Sequence, residues 1–254
     1  MKNRIKEELG NGKSTVGMFI GIPSFQWAEF LSQIDLDWIL FDLEHGSYHF
    51  DSLPPLLSAA AGGRATPLVR IPSHDPNQAK LALDSGAQGI MFPQVNSRED
   101  AINIVRACKY PPEGIRGIGP RRASLYYSEF EEYVKTANRE ILVIAQIESR
   151  EAVDNIDDIL SVKGIDVAFI GPSDLSASMG YLYPGRQLPK DVLEAISTVL
   201  SATRKHGVIP GIWGGSVDRV NEVIRQGFKF ISLCEDSEYM LRVKSDLAKI
   251  VRSP

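Results

Sequence analysis

Eight short apolar runs recur along the 254 residues, and a helical pattern follows each of them. The runs cover residues 16–20, 38–41, 67–72, 89–92, 141–148, 165–171, 208–213 and 228–233. The run at 141–148 is apolar at almost every position rather than at alternate ones. Strands buried on both faces read this way because helices cover them, as in parallel sheets. One helix runs through Trp27 and Phe30 behind Ser24, a good N-cap residue. Others are expected at 53–61, 76–84, 97–108, 128–138, 151–160, 191–206, 217–226 and 237–251, with a short amphipathic helix at 1–9 in front. Eight strands alternating with helices predict an α/β fold, a (β/α)8 TIM barrel, with residues 1–254 as one domain.

The remaining composition narrows the function. A net charge of −4 offers no basic face, so nucleic acid is not an expected partner. No apolar run approaches membrane-spanning length, and residues 1–9 lack an apolar signal core. Cys108 and Cys234 sit inside apolar segments, which suits buried thiols in a reducing compartment. A cytoplasmic enzyme is the expectation. The Gly- and Pro-rich stretch 111–127 breaks the regularity, and its three arginines, Arg116, Arg121 and Arg122, suggest an active-site loop.

Barrel active sites lie at the C-terminal ends of the strands. There the second run ends in Asp42, Glu44 and His45, the third in Arg70 and the fifth in Gln146 and Glu148. The sixth ends in Gly171, Pro172, Ser173 and Asp174, and the seventh in Trp213. A carboxylate at the end of a buried strand needs a cation, a metal or several donors. Glu148 and Asp174, in consecutive units and with the amide oxygen of Gln146, point to a hard divalent cation such as Mg2+ or Mn2+. Arg70 adds a fixed cation for an oxyanion, and His45 moves protons near neutral pH. Lys163 and Lys229 precede or begin strands, at the wrong end for a Schiff base. No serine or cysteine stands in a nucleophile elbow. A metal, an arginine and a histidine around an enolate describe a metal-dependent aldolase.

The same residues carry a resemblance. Phe41 to Gly46, Val69 to Pro72, Gly86 to Gly89 with Pro93, Tyr110 to Gly117, Gln146 to Ala152 and Phe169 to Ser176 resemble motifs of the HpcH/HpaI aldolase/citrate lyase family. The closest branch is the class II pyruvate aldolases, and the likeness runs from Val16 onward. It implies reversible cleavage of 4-hydroxy-2-oxo acids to pyruvate and an aldehyde, with no nucleotide cofactor. Such substrates include 2-keto-3-deoxy sugar acids and 2,4-dihydroxyhept-2-ene-1,7-dioate. By motif position, Glu148 and Asp174 hold Mg2+, Mn2+ or Co2+, with Gln146 beside the bound pyruvate. Arg70 holds the oxo group, and His45 is the acid/base. Backbone N–H groups near Ser173 and Asp174 receive the carboxylate. Asp84 reaches His45 from a neighbouring subunit, in a homohexamer built as a trimer of dimers.

The alternatives are an oxaloacetate decarboxylase, an acyl-CoA lyase or a non-catalytic metal- or ligand-binding barrel. A CoA lyase needs a basic surface, and only the stretch from Arg116 to Arg122 offers one. Leu233-Cys234-Glu235-Asp236 and Trp213 depart from the family pattern where the aldehyde is expected.

Overall fold

The computed structural model describes residues 2–182 and 187–250. Its sheet is a closed barrel of eight parallel strands in sequence order. They are β1 (Thr15–Ile20), β2 (Trp38–Asp42), β3 (Thr66–Arg70), β4 (Gly89–Phe92), β5 (Leu142–Ile147), β6 (Val167–Ile170), β7 (Ile209–Trp213) and β8 (Phe230–Glu235). Every expected strand is present. β8 runs on to Glu235, past the expected end at residue 233.

The apolar strand residues divide between two cores by parity. Ile39, Phe41, Val69, Ile90, Val143, Ala145, Ala168, Ile170 and Ile231 face outward and pack on the helices. Phe19, Trp38, Leu40, Leu68, Met91, Leu142, Ile144, Val167, Phe169 and Phe230 fill the barrel. Successive side chains on a strand point to opposite faces, so the inward parity can be followed upward. Trp38 and Leu40 lead to Asp42, and Leu68 leads to Arg70. Leu142 and Ile144 lead to Gln146 and then Glu148, while Val167 and Phe169 lead to Gly171. The polar rim is therefore the uppermost layer of the barrel filling.

The lower end is closed by α1 (Arg4–Gly10), whose Ile5 and Leu9 join the inner core. Its N-cap Asn3 accepts from Lys6 N and donates to the carbonyls of Gln88 and Glu140 at 2.8 and 2.9 Å, fixing the plug to the barrel wall.

One inner position tests this packing. Trp38 stacks on Phe230 with ring centroids 4.2 Å apart, and a Cβ added at Gly17 would stand 2.1 Å from the indole. Gly17→Ala is expected to lower stability by about 3 kcal/mol or more, because neither wall of a closed barrel can retreat. Thermal denaturation checks this, and a melting temperature unchanged within a degree would contradict it.

The outer layer contains α2 (Phe25–Gln33), α3 (Leu53–Ala60), α4 (Pro76–Asp84), α5 (Arg98–Cys108) and α6 (Phe130–Glu140). Ser24 caps α2 as expected, its side chain accepting from Trp27 N. The expected helix at 151–160 is two short ones, α7 (Arg150–Asp154) and α8 (Ile156–Leu160), because Asn155 leaves helical geometry with ψ 9°. A further helix, α9 (Pro172–Ser178), follows β6, where only a helix start was expected. Proline at its first position presets the helical φ. α10 (Lys190–His206) and α11 (Val217–Gln226) end at Gly207 and Gly227, both left-handed. The expected helix at 237–251 is divided into α12 (Asp236–Met240) and α13 (Arg242–Leu247), and residue 251 lies outside the described residues. No helix among the described residues is long and apolar enough to cross a membrane. Cys108 and Cys234 are free and buried.

Candidate active site

Asp42 and Arg70 are register partners on β2 and β3, so their inward side chains meet. Arg70 donates from Nε to Asp42 Oδ1 at 2.8 Å and from Nη2 to Oδ2 at 2.6 Å, a two-point fork. Its Nη1 lies 3.0 Å from Glu44 Oε2 and donates to Gln146 Oε1 at 3.4 Å. The guanidinium lies over the Phe19 ring, 5.0 Å from its centroid. Burial works against the Arg70 charge, but the Asp42 bonds and the charges of Asp42, Glu44 and Glu148 raise its pKa overall. The arginine is therefore clamped as a permanent cation.

Gln146 donates to Glu148 Oε2 through Nε2. The other Glu148 oxygen accepts the Gln94 N–H at 2.8 Å. Gln94 can aim that N–H because it sits at φ 50°, in the left-handed region. His74 supports the turn by donating its Nε2–H to the Pro93 carbonyl at 2.7 Å, with Nδ1 3.6 Å from Asp100. The backbone at Gln94 and the role of His74 were not legible in the sequence.

Burial pushes the Glu148 carboxyl up to about 7; the Gln94 N–H pulls it down, Asp174 and Glu44 push it further up, and Arg70 lowers it. Burial also raises Glu44, against the pull of Arg70 and His45. Three carboxylates thus crowd around one arginine, Asp174 adds its charge to Glu44 and Glu148, and burial holds the Glu148 carboxyl well above the ordinary carboxylate range. Asp174 stands in the first turn of α9 and is exposed. A Cβ at Gly171 would meet Glu148 Oε2 at 2.9 Å and Gln146 Nε2 at 3.2 Å, so glycine preserves the space in front of both.

A cleft of about 180 Å3 opens over this layer. Asp42, His45, Arg70, Gln146, Gly171, Pro172, Ser173, Asp174 and Trp213 line it, as expected from their strand ends, whereas Glu44 and Glu148, expected with them, lie behind Arg70 and Gln146 and do not line it. Phe19, Phe169 and Glu238 also line it and were not anticipated, and Glu235 lines it from the segment expected beside the aldehyde. The inward parity of β1 and β6 would have found Phe19 and Phe169, whereas Glu235 is out of step with inward Phe230 and enters past an irregularity in the β1–β8 register. Its volume is below the roughly 300 Å3 at which drug-sized sites begin, so it suits a small ligand. His45 is open to solvent, its side chain 67% exposed, with Nε2 3.9 Å from Glu44 Oε2.

Two expected features lie elsewhere in the chain. Asp84 ends α4, away from this rim, and pairs with Arg116 at 2.6 Å. The 111–127 loop does not line the cleft. Arg116 is buried between Tyr110 and Tyr133, and Arg122 is spent on Ser58 Oγ and the carbonyls of Ser85 and Leu57. A larger cavity, about 520 Å3, lies near the lower end, lined by Arg64, Gln88, Arg122 and Tyr133 among others. Glu129 is the one carboxylate in its lining, and it gathers no cluster comparable to that of the upper rim.

The donor chemistry fits a divalent cation. Among the described residues no group of three or more His, Cys, Asp or Glu side chains is arranged to hold a metal. Asp42 and Glu44 are engaged by Arg70, so Glu148 and Asp174, with Gln146 beside Glu148, are the carboxylates that would hold it, leaving positions for oxygens of substrate and water. A dication would also relieve the crowding that holds Glu148 near 7.

A closed barrel with a clamped arginine, paired carboxylates and an open histidine around a small cleft defines a barrel enzyme equipped to stabilise negative charge on an oxo acid. The sequence model of the HpcH/HpaI aldolase/citrate lyase family matches residues 15–242. The 4-hydroxy-2-oxo-heptane-1,7-dioate aldolase of Escherichia coli (strain ATCC 8739) is 35% identical over 249 residues, 98% of this chain and 94% of that one. The solved structure of an HpcH/HpaI family protein from Burkholderia cenocepacia J2315 superposes with a TM-score of 0.93 at 32% identity, covering 99% and 100% of the two chains. That of an HpcH/HpaI aldolase from Desulfitobacterium hafniense DCB-2 gives 0.88 at 30% identity, with both chains fully covered. The chain belongs to the HpcH/HpaI aldolase/citrate lyase family and is a carbon–carbon lyase, an aldolase.

Proposed function

We propose that the chain cleaves 4-hydroxy-2-oxo acids reversibly to pyruvate and an aldehyde, with a divalent cation held by Glu148 and Asp174. The observation that carries this reading is the meeting of Glu148, Gln146 and the clamped Arg70 in the top inner layer, beside Asp174. When bound, the cation supplies Lewis acidity toward the substrate oxo group. Arg70 faces that oxygen and stabilises the charge that develops there as the C3–C4 bond breaks. In cleavage the C4 hydroxyl gives up its proton as the carbonyl forms, and C3 of the pyruvate fragment takes one. His45, open to solvent beside the cleft, moves these protons directly or through water. Gln146 orients the oxo acid, and the first turn of α9, with Pro172 and Ser173, receives its carboxylate. Asp42 holds Arg70 in place.

The same reading includes a cytoplasmic homohexamer, a trimer of dimers in which Asp84 approaches His45 of a neighbouring copy. Mg2+, Mn2+ and Co2+ are the cations in view, and neither a Schiff-base lysine nor a nucleotide is required. The decarboxylase reading shares the pyruvate chemistry, whereas a CoA lyase is disfavoured because Arg116 and Arg122 are already engaged.

Exchange of pyruvate methyl protons in D2O is the direct test. It is expected to stop with chelator and to return with Mg2+, Mn2+ or Co2+. Persistent exchange in metal-free protein would remove the cation from the reading. No exchange under any condition would leave only a binding barrel. Oxaloacetate supplied alone separates decarboxylation from aldol cleavage.

A further inference from the structure

The aldehyde end of the cleft carries a charge pattern of its own. At the end of β8 and in the first turn of α12 stand three acidic residues, Glu235, Asp236 and Glu238, and they divide by what they touch. Asp236 is fully buried and consumed: it accepts the N–H groups of Gly21 and Ile22 at 3.0 and 3.3 Å and the indole N–H of Trp27 at 2.9 Å. It thereby pins the β1–α2 loop. Glu235 and Glu238 line the cleft instead. Glu238 Oε2 accepts the Glu235 N–H at 3.4 Å and closes the first turn of α12. Among the described residues neither has a cation partner. Glu235 Oε1 lies where a Cβ on Gly21 would come within 2.4 Å, so the glycine keeps room for it. Next to them on the neighbouring strand, Trp213 lines the same cleft and packs on Phe19 at 5.0 Å between centroids. An indole face takes the C–H face of a short polyol chain, and carboxylate oxygens accept from its hydroxyl groups.

We propose that Glu235 and Glu238, beside Trp213, fit the acceptor end of the cleft for an uncharged hydroxylated aldehyde and against an aldehyde ending in a carboxylate. The inference rests on the proposed pyruvate chemistry and adds the class of the second substrate. It separates this chain from a heptane-1,7-dioate aldolase, whose substrate carries its second carboxylate at this end. A carboxylate brought to two uncompensated glutamates is rejected by like charge, which is a specificity device rather than a source of affinity. The bond formed joins C3 of pyruvate to the aldehyde carbon, whose oxygen takes a proton. No oxidant or reductant is involved.

The test is condensation of pyruvate with D-glyceraldehyde and with succinic semialdehyde, in wild type and in Glu238→Gln. Glutamine keeps the size and the acceptor oxygen that closes α12 while removing the charge. Wild type is expected to prefer glyceraldehyde by tenfold or more in kcat/KM. Glu238→Gln is expected to shift that ratio toward succinic semialdehyde by about tenfold, and Glu235→Gln with Glu238→Gln further still. A wild type that uses both aldehydes equally, or a ratio that neither variant moves, overturns the inference. Pyruvate proton exchange in the wild type keeps the two readings apart. If exchange is present while the aldehyde preference is absent, this inference alone fails. If exchange is absent, the pyruvate chemistry fails with it.

Discussion

Replacing Arg70 with alanine is expected to lower kcat for aldol cleavage by about 10^3-fold or more, since even one lost oxyanion donor removes roughly 10^2–10^3. The same change leaves Asp42, 2% exposed, and the half-buried Glu44 without their cation. Breaking such a buried pair by removing one partner costs about 3–5 kcal/mol, because a charge is left uncompensated. Arg70→Lys separates the two effects. Lysine restores a positive charge but not the fork on Asp42, so folding is expected to recover more than turnover. Steady-state kinetics alongside thermal denaturation reads both. Turnover within threefold of wild type in a folded Arg70→Ala protein would refute the role given to this side chain.

Glu148→Gln is expected to abolish activity and yet to stabilise the metal-free protein in alkaline solution. Folded Glu148 holds its proton up to about pH 7, whereas its ordinary value is 4.5. Between those values the folded state binds a proton that the unfolded chain has released. Stability therefore falls as pH rises through that window, by about 3 kcal/mol once complete. Glutamine carries no such penalty. With chelator present, the variant should melt above wild type at pH 8 and level with it near pH 4.5. Added divalent cation should raise the wild-type midpoint and leave the variant unmoved, since a cation favours the ionised carboxylate. A variant that melts below wild type at pH 8 would mean that Glu148 is an ordinary structural carboxylate. The observation behind this expectation is crowding: burial first, then Asp174 and Glu44, act on one group that holds only an amide and a single backbone N–H.

Much of this site could be read before any coordinates because parity transmits position. A strand whose interior residues are Trp38 and Leu40 must place Asp42 on the same side two residues on, and Leu68 does the same for Arg70. The fifth run carries two such steps, to Gln146 and Glu148. What escaped was set by backbone that has no sequence period. Gln94 contributes an N–H rather than a side chain, through a left-handed residue that glutamine rarely adopts. Asn155 looks helical in composition and still divides its helix. Asp236 and Glu235 are adjacent acids in the sequence, and only packing shows one pinning the β1–α2 loop and the other lining the cleft. The 111–127 loop misled for a similar reason: arginines announce an anion, but Arg116 found Asp84 and two tyrosine rings within its own chain.

The sequence by itself determined the eight-fold alternation, the barrel and the identity of the residues at its C-terminal rim, because burial on both strand faces and the two-residue period act locally and leave a pattern in the letters. Tertiary structure alone decided which of those charges meet. The Asp42 fork on Arg70, the protonation of Glu148 near neutrality and the uncompensated glutamates beside Trp213 all depend on distances between strands far apart in the chain. Electrostatic energy depends on that separation and on burial, neither of which is written in the order of the residues.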